Sequence, residues 1–293
     1  AIGLAGNVRC ADVRIDGIAN GGTHLVQVVR DGGSLDVTIT VRNHGTSIAR
    51  LDNIATTGAF SLRSASTATL APGATASIGL NLPTQTAGQY LGELRFSTND
   101  PEEPSYLVRL EGLVAEPVAK ANVFYSFDGN TWAPIRDNQT TPVDFGLLSV
   151  GERATVLIKV ESAGNIPLLV GQPTELAGFI IEDGLVAELA PRRSDTFTIA
   201  LDTSVPGTKL GTISFATNDQ VAGDFSFAVK GMVGVPDISV SKTTLDFGRL
   251  QRKGTKSANH LIVSNVGTGP LRFTIDQLPT GYTLANGDSK FTL

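Results

Sequence analysis

The sequence predicts an all-β chain made of tandem immunoglobulin-like β-sandwich domains. Three observations carry this. Apolar and polar residues alternate over short runs, Gly, Pro, Asn and Asp separate the runs, and the whole pattern recurs after 119 residues. Leu35 to Arg42 is the plainest run. Leu35, Val37, Ile39 and Val41 share one face, and Asp36, Thr38, Thr40 and Arg42 share the other. Period two of this kind marks a strand with one buried face. Val156, Ile158 and Val160 repeat it, and so do Leu261 and Val263. About seven such strands per copy predict two antiparallel sheets packed face to face.

The repeat is read directly. A shift of 119 carries Phe96-Ser97-Thr98-Asn99-Asp100 onto Phe215-Ala216-Thr217-Asn218-Asp219. It also carries Leu70-Ala71-Pro72 onto Leu189-Ala190-Pro191, Phe60 onto Phe179, and Gly112 onto Gly231. Self-similarity at one ungapped shift, from about residue 26 to 112, signals a duplicated unit. A third copy follows Val235-Pro236. Asp246-Phe247-Gly248 matches Asp144-Phe145-Gly146, and Asn265-Val266-Gly267 matches Asn43-His44-Gly45. That copy stops at Leu293, opposite Ala71.

At the other end, Ile2-Gly3-Leu4-Ala5-Gly6 reads like the closing run Val108–Gly112. The predicted organisation is therefore a last strand of a preceding repeat over 1–8, repeat 1 over 9–115, repeat 2 over 116–234 and a truncated repeat 3 over 235–293. Leu261, Val263, Leu271 and Phe273 of repeat 3 are expected to lie open. Chain continuing past Leu293, or the Ile2–Gly6 strand of a second copy, would cover them. A chain that begins at Ala1, without Met or a signal peptide, suggests processing or a fragment.

Composition narrows the function classes. Hydrophobic residues at 41% and charged residues at 17% describe globular material. A net charge of −5 with no clustered basic face argues against nucleic acid as a partner. No apolar run approaches the roughly 20 residues of a membrane span. Cys10 is the only cysteine, so no intrachain disulfide can form.

The order of motifs is an Asp-Phe-Gly start, a strand ending in Asn-x-Gly, a Phe-x-Leu, a Leu-Ala-Pro-Gly turn, then Phe-x-Thr-Asn-Asp-Pro and a closing Leu-x-Gly. It resembles the ASH/Hydin-like domains, including the bacterial repeats called choice-of-anchor D. These group with PapD-like and major-sperm-protein-like immunoglobulin folds. The resemblance covers nearly the whole chain. It implies strings of domains on large surface or secreted bacterial proteins, or on ciliary and centrosomal proteins, and it brings no catalytic residues. Departures are Leu25-Val26-Gln27 in place of Asp-Phe-Gly, Ser162-Ala163-Gly164 in place of Asn-x-Gly, and Arg192 in place of the turn glycine.

Candidate sites are few. His24, His44 and His260 stand in different contexts, without the convergent spacing of a triad or metal site, and read as surface residues. Gly287-Asp288-Ser289 echoes a hydrolase motif by chance. Asp100, Glu102 and Glu103 surround one turn, where hard oxygen ligands would suit calcium, but the second copy loses the acids. A solvated acidic turn is the favoured reading.

The second copy alone carries Tyr125-Ser126-Phe127-Asp128-Gly129-Asn130-Thr131-Trp132. This stretch resembles the Asp-box of sialidases, one residue short. It is predicted as a hairpin with an Asp-Gly turn braced by an aromatic pair, and Tyr125 with Trp132 is a candidate sugar platform. Asn138-Gln139-Thr140 is a glycosylation sequon.

The expected role is a spacer or adhesive building block of a large bacterial surface or secreted protein, not an enzyme, with no cofactor. Expected partners are neighbouring repeats, further copies of the chain, or cell-surface proteins and glycans. Two short apolar joints, Val114–Pro117 and Val233–Pro236, each carry a stiffening proline. The rival readings are a peptide-binding module using an exposed sheet edge, and a non-catalytic accessory region of a large extracellular hydrolase. A periplasmic location is the alternative to the cell surface.

Overall fold

The computed structural model describes residues 10–65, 68–249 and 257–293. The predicted tail strand of residues 1–8 lies outside them. Repeat 1 is built of β1 (Val13–Ile15), β2 (Thr23–Val29), β3 (Ser34–Asn43), β4 (Ala49–Gly58), β5 (Ser61–Ser64), β6 (Ala68–Leu70), β7 (Thr75–Pro83), β8 (Gly88–Thr98) and β9 (Ser105–Ala115). One sheet has the order β1-β3-β7-β5 and the other β2-β9-β8-β4-β6. The predicted alternation becomes burial: Val37, Ile39 and Val41 from β3, Ile78, Leu80 and Leu82 from β7, and Leu94, Phe96, Val108 and Leu110 from the facing sheet form one core. Phe96 and Tyr106 stack at 5.2 Å within it.

Repeat 2 follows with β10 (Ala121–Ser126), β11 (Ala133–Ile135), β12 (Gln139–Ser149), β13 (Thr155–Ser162), β14 (Leu168–Leu169), β15 (Phe179–Glu182), β16 (Glu188–Leu189), β17 (Ser194–Leu201), β18 (Gly207–Ala216) and β19 (Asp224–Gly234). Its orders are β11-β10-β13-β17-β15 and β12-β19-β18, with β14-β16 as a separate pair. Its core is the same set shifted, with Val156, Ile158, Phe197, Ile199, Ile213, Phe215, Phe227 and Val229. The two cores lie in two compact units, Ala1–Pro117 and Val118–Leu293.

Three details differ from the expectation. One sheet of each sandwich is mixed rather than purely antiparallel, because β2 runs parallel to β9 and β12 parallel to β19. Alternation reports which face is buried and is silent on strand direction.

The repeats are also not identical under the shift of 119. In repeat 1, β4 pairs with β8 across a break between Asp52 and Ala55. In repeat 2 the corresponding stretch is Gly171-Gln172-Pro173. A proline has no N–H for the ladder, so β14 ends early, and the stretch after it meets the β18 side through the bridge Val170↔Thr217 and through the Gly171 and Thr174 amides, which donate to Ala216 O and Ser214 O at 2.8 Å.

The third detail explains a departure in the motif. In Asp144-Phe145-Gly146, Asp144 Oδ1 accepts Gly146 N–H at 2.9 Å, and Gly146 takes φ 75°. The pairing of β12 with β19 shifts by one residue there. Such a bulge needs a residue that tolerates positive φ. Asp246 and Gly248 make the same turn at 2.8 Å, whereas Leu25-Val26-Gln27 in β2 runs straight.

Repeat 3 contributes β20 (Ile238–Val240), β21 (Val263–Asn265), β22 (Arg272–Thr274) and β23 (Lys290–Thr292). Ile238 pairs with Asn265 as Val13 pairs with Asn43. Leu261 is exposed and Val263 and Phe273 are half-buried, but Leu271, also expected to lie open, is buried. Leu271 exchanges two backbone hydrogen bonds with Leu293, at 2.8 and 2.9 Å. Phe273 stacks on Phe291 at 5.0 Å.

Candidate functional site

The Thr-Asn-Asp triplet after β8 and β18 is the most elaborate polar arrangement, and each residue has its own task. Thr98 Oγ1 donates to Glu103 O at 2.6 Å and accepts Asp100 N–H at 3.0 Å, which closes the turn. Asn99 acts as a strand partner: its Oδ1 accepts Arg50 N–H at 2.7 Å and its Nδ2 donates to Ile48 O at 3.0 Å. Asp100 is buried and reaches the opposite sheet, where its Oδ2 accepts Val13 N–H at 2.8 Å and its Oδ1 accepts Glu102 N–H at 2.9 Å.

Repeat 2 copies every bond. Thr217 donates to Gly223 O, Asn218 accepts Leu169 N–H, and Asp219 accepts Ala121 N–H at 2.8 Å together with Val221 and Ala222 N–H. Burial pushes the Asp219 carboxyl up. The amides of Ala121, Val221 and Ala222, helped by Lys120, outweigh that and hold it below the usual carboxylate range. The triplet is thus a clasp between sheets.

The Asn-x-Gly motif is a second such hub. Asn43 is fully buried at the end of β3. Its Nδ2 donates to Ser47 O at 2.8 Å and Leu70 O at 2.9 Å, and its Oδ1 accepts the N–H groups of Gly45 at 2.9 Å and Asp12 at 3.4 Å. Asn265 repeats this with Gly269 O, Leu293 O, Gly267 N–H and Asp237 N–H. Gly45 is required because a Cβ there would sit 2.4 Å from Cys10 O. Ser162 is too short for the role, and its buried Oγ has no hydrogen-bond partner.

The candidate calcium turn is part of this clasp. Both Asp100 oxygens receive backbone amides, while Glu102 and Glu103 are half-buried or exposed, and Glu103 accepts Asn20 Nδ2. Among the described residues no three His, Cys, Asp or Glu side chains are grouped to hold a metal ion. His24 lies on β2, His44 follows β3 with Nε2 3.3 Å from Asp16 Oδ1, and His260 is exposed ahead of β21. Ser289 is exposed beside Asp288, which accepts Asn286 Nδ2 at 2.9 Å.

The predicted hairpin is present as β10–β11. It is an insertion. Val13 and Ala121 hold equivalent places in the pairing to β3 and β13, a shift of 108, whereas later strands shift by 119, so 11 residues are added. Asp128 organises the turn by accepting Asn130 N–H, Thr131 N–H and Ser126 Oγ–H at 2.7–2.8 Å. The Thr131 and Asn130 amides hold its carboxyl well below the usual range.

The structure puts the two proposed rings on different faces of the hairpin. Tyr125 shares parity with buried Val123, packs on the core, and meets Phe127 edge-on at 5.9 Å. Trp132 lies on the outer face, where Lys159 Nζ sits 4.7 Å from its ring and 4.9 Å from Phe124. Strand alternation puts Tyr125 inward and Phe124 outward. Phe124 and Lys159 were the residues to pair with Trp132. Near the hairpin a cleft of about 610 Å³ is lined by Val118, Ala121, Phe124, Ile135, Val221 and Phe225 among others.

Residues 26–112, nearly all of the first sandwich, match the family model described as HYDIN/CFA65/VesB-like, Ig-like domain. Over that segment the first sandwich is similar to the HYDIN-like Ig-like domains. The ASH/Hydin-like resemblance of the sequence is shown over these residues, and the clasp residues Thr98, Asn99 and Asp100 lie inside the matched segment. No curated protein matches.

Among solved structures, a protein of unknown function from Porphyromonas gingivalis W83 is 15% identical, covering 76% of this chain and 99% of its own, with a TM-score of 0.30. The human CEP192 ASH/PapD-like domain 7 is 12% identical over 40% of this chain and 98% of its own, with a TM-score of 0.29. The secreted serine protease VesC from Vibrio cholerae is 14% identical over 75% of this chain and 50% of its own, with a TM-score of 0.28. No helix among the described residues is long and apolar enough to cross a membrane, which leaves β-barrels unaddressed.

Proposed function

We propose that this chain is a non-catalytic structural segment, a spacer with adhesive capacity, of a large bacterial surface or secreted protein. The supporting observation is the duplicated clasp. The buried polar groups Asn43, Asp100 and Asp219 are directed at backbone amides and carbonyls of their own repeat. Bonds of that kind fix strand ends and sheet spacing, which suits a unit that carries length. Partners are the adjacent repeats, with copies of the chain or surface glycans as the adhesive partners.

The exposed thiol of Cys10 gives the test. A membrane-impermeant maleimide applied to intact cells of the source organism is expected to label it. Labelling only after the outer membrane is permeabilised would move the chain to the periplasm, and labelling only after full lysis would reject the proposal. Removal of residues 116–234 from the full-length protein is expected to shorten its reach by one repeat and leave repeat 1 folded.

A further inference from the structure

The second repeat ends at Gly234, the last residue of β19, and there the backbone of repeat 3 passes close by. A Cβ on Gly234 would lie 2.4 Å from Thr268 O and 2.5 Å from Gly269 Cα. A Cβ on Gly269 would lie 2.5 Å from the carbonyl carbon and oxygen of Gly234. Both glycines are buried, and neither contact leaves room for a methyl group. Hydrogen bonds fix the approach. Thr268 N–H donates to Val235 O at 2.8 Å, and Val235 N–H donates to Thr268 Oγ1 at 3.1 Å. On the flank, Ser149 Oγ donates to Pro270 O at 2.7 Å, and the Arg272 guanidinium stands 2.7 Å from Glu152 Oε1. Glu152 is itself positioned by accepting Ser149 N–H on its other oxygen at 3.1 Å.

Part of this turn is common to the repeats, and part is not. Asn165 and Ile166 N–H donate to Val118 O as Thr268 and Gly269 N–H donate to Val235 O. The residues that make the close approach are not repeated in the sequence. Ile166 stands for Gly269, and Ala115, 119 residues before, stands for Gly234. Glu152 and Arg272 have Gly33 and Leu169 as counterparts, neither of which is charged. A general requirement of the fold would have placed these residues in every copy.

We infer that Gly234 and Gly269, with Ser149, Glu152 and Arg272, form a clamp that holds repeat 3 in one orientation on repeat 2. The clamp deepens the spacer reading and rests on it for its purpose, since a fixed joint keeps a spacer straight under load. Its geometry is internal to the chain.

The test is a distance distribution between spin labels on the 293-residue chain. Labels are placed at the exposed positions Thr208→Cys and Ser264→Cys, with Cys10→Ser removing the native thiol. The parent is expected to give one narrow peak. Gly234→Ala is expected to shift or broaden it, and so is Arg272→Glu. Adding Glu152→Arg to Arg272→Glu is expected to restore the narrow peak. Fluorescence of Trp132, the single tryptophan, reports whether repeat 2 stays folded. If Gly234→Ala perturbs it, Gly269→Ala approaches the same contact from repeat 3. A broad peak in the parent overturns the clamp. A narrow peak unchanged in Gly234→Ala, Gly269→Ala and Arg272→Glu also overturns it. A narrow parent peak together with a failed surface-labelling experiment would sink the spacer reading and leave the clamp standing.

Discussion

Asn43 and Ser162 occupy the same place in two sandwiches that share strand spacing and core, yet only one of them satisfies its surroundings. Asn43 makes four hydrogen bonds that tie β3 to β1 and β6 through Asp12 and Leu70. Ser162 leaves a buried hydroxyl alone. Repeat 2 nevertheless keeps the local turn through backbone bonds. Ala163 N–H donates to Lys120 O, and Arg192 N–H to Ser162 O, as His44 does to Asp12 and Gly73 to Asn43. The fold therefore resides in the backbone ladder and the apolar core, and the buried amide strengthens a turn that forms without it.

The largest effect is expected where that contrast is sharpest. Asn43→Ala removes the partner of buried amides and carbonyls, and is expected to cost repeat 1 roughly 3 kcal/mol by urea denaturation. Ser162→Ala deletes a hydroxyl with no partner and is expected to stabilise repeat 2 by about 1 kcal/mol. Equal losses from the two substitutions would show that the sites do the same work.

Asp219→Asn comes next. It weakens charge-assisted bonds to three amides, at a cost of roughly 2 kcal/mol at neutral pH. The native carboxyl titrates below its unfolded value of about 3.9. Its contribution is therefore complete above that pH and is lost as pH falls through the lower folded value. The stability difference between native protein and variant, followed by denaturation across the acid range, is expected to shrink below about pH 4. A difference that holds constant to the lowest pH would show that the charge is not what the clasp uses.

Much of this was legible in the sequence. The alternation in Leu35–Arg42 gave the buried face of β3, and the shift of 119 places β19 on β9 at both ends. What stayed hidden depends on through-space partners. The parallel course of β2 follows from which strand it meets, and alternation carries no direction. Asp100 looked like an acidic ligand because its neighbours Glu102 and Glu103 are acidic, whereas its partner Val13 lies 87 residues away. Tyr125 and Trp132 are separated by the pairing of Tyr125 with Ala133, which puts the residue before Ala133 on the other face, and that register depends on where the turn closes.

The turn after β6 offers a milder comparison. Gly73 takes φ 79° in Ala71-Pro72-Gly73, and Arg192 takes φ 66° at the same place in repeat 2. A side chain in the left-handed region is disfavoured by roughly 1–2 kcal/mol relative to glycine, and the gain from Arg192→Gly is offset by the extra freedom of glycine in the unfolded chain. Arg192→Gly is expected to raise the stability of repeat 2 by about 0.5–1 kcal/mol in thermal or urea unfolding. A loss instead would mean that the arginine side chain contributes contacts that outweigh its backbone strain.

The smallest effect concerns what repeat 2 has and repeat 1 lacks. The inserted hairpin is tied at its turn by Asp128 and along its length by pairing of Val123 with Ile135. On its outer face the Lys159 ammonium lies over Trp132 and Phe124. Half-exposed cation–π contacts of this kind contribute about 0.5–1 kcal/mol. Lys159→Met keeps the stem that covers the rings and removes the charge, so any change reports the cation and not the packing. The global stability of repeat 2 is expected to move by only about 0.5 kcal/mol, because its core strands β13 and β17 pair along Thr155–Glu161 without the hairpin. The local effect should be clearer. Trp132 is the single tryptophan, so its emission follows repeat 2 from the hairpin, and the hydrogen exchange of Ala133 and Ile135 reports the hairpin strand itself. Faster exchange there with unchanged exchange in β13 is the expected result. Equal acceleration in both would show that the cation supports β13, to which β10 pairs, as much as it supports the hairpin.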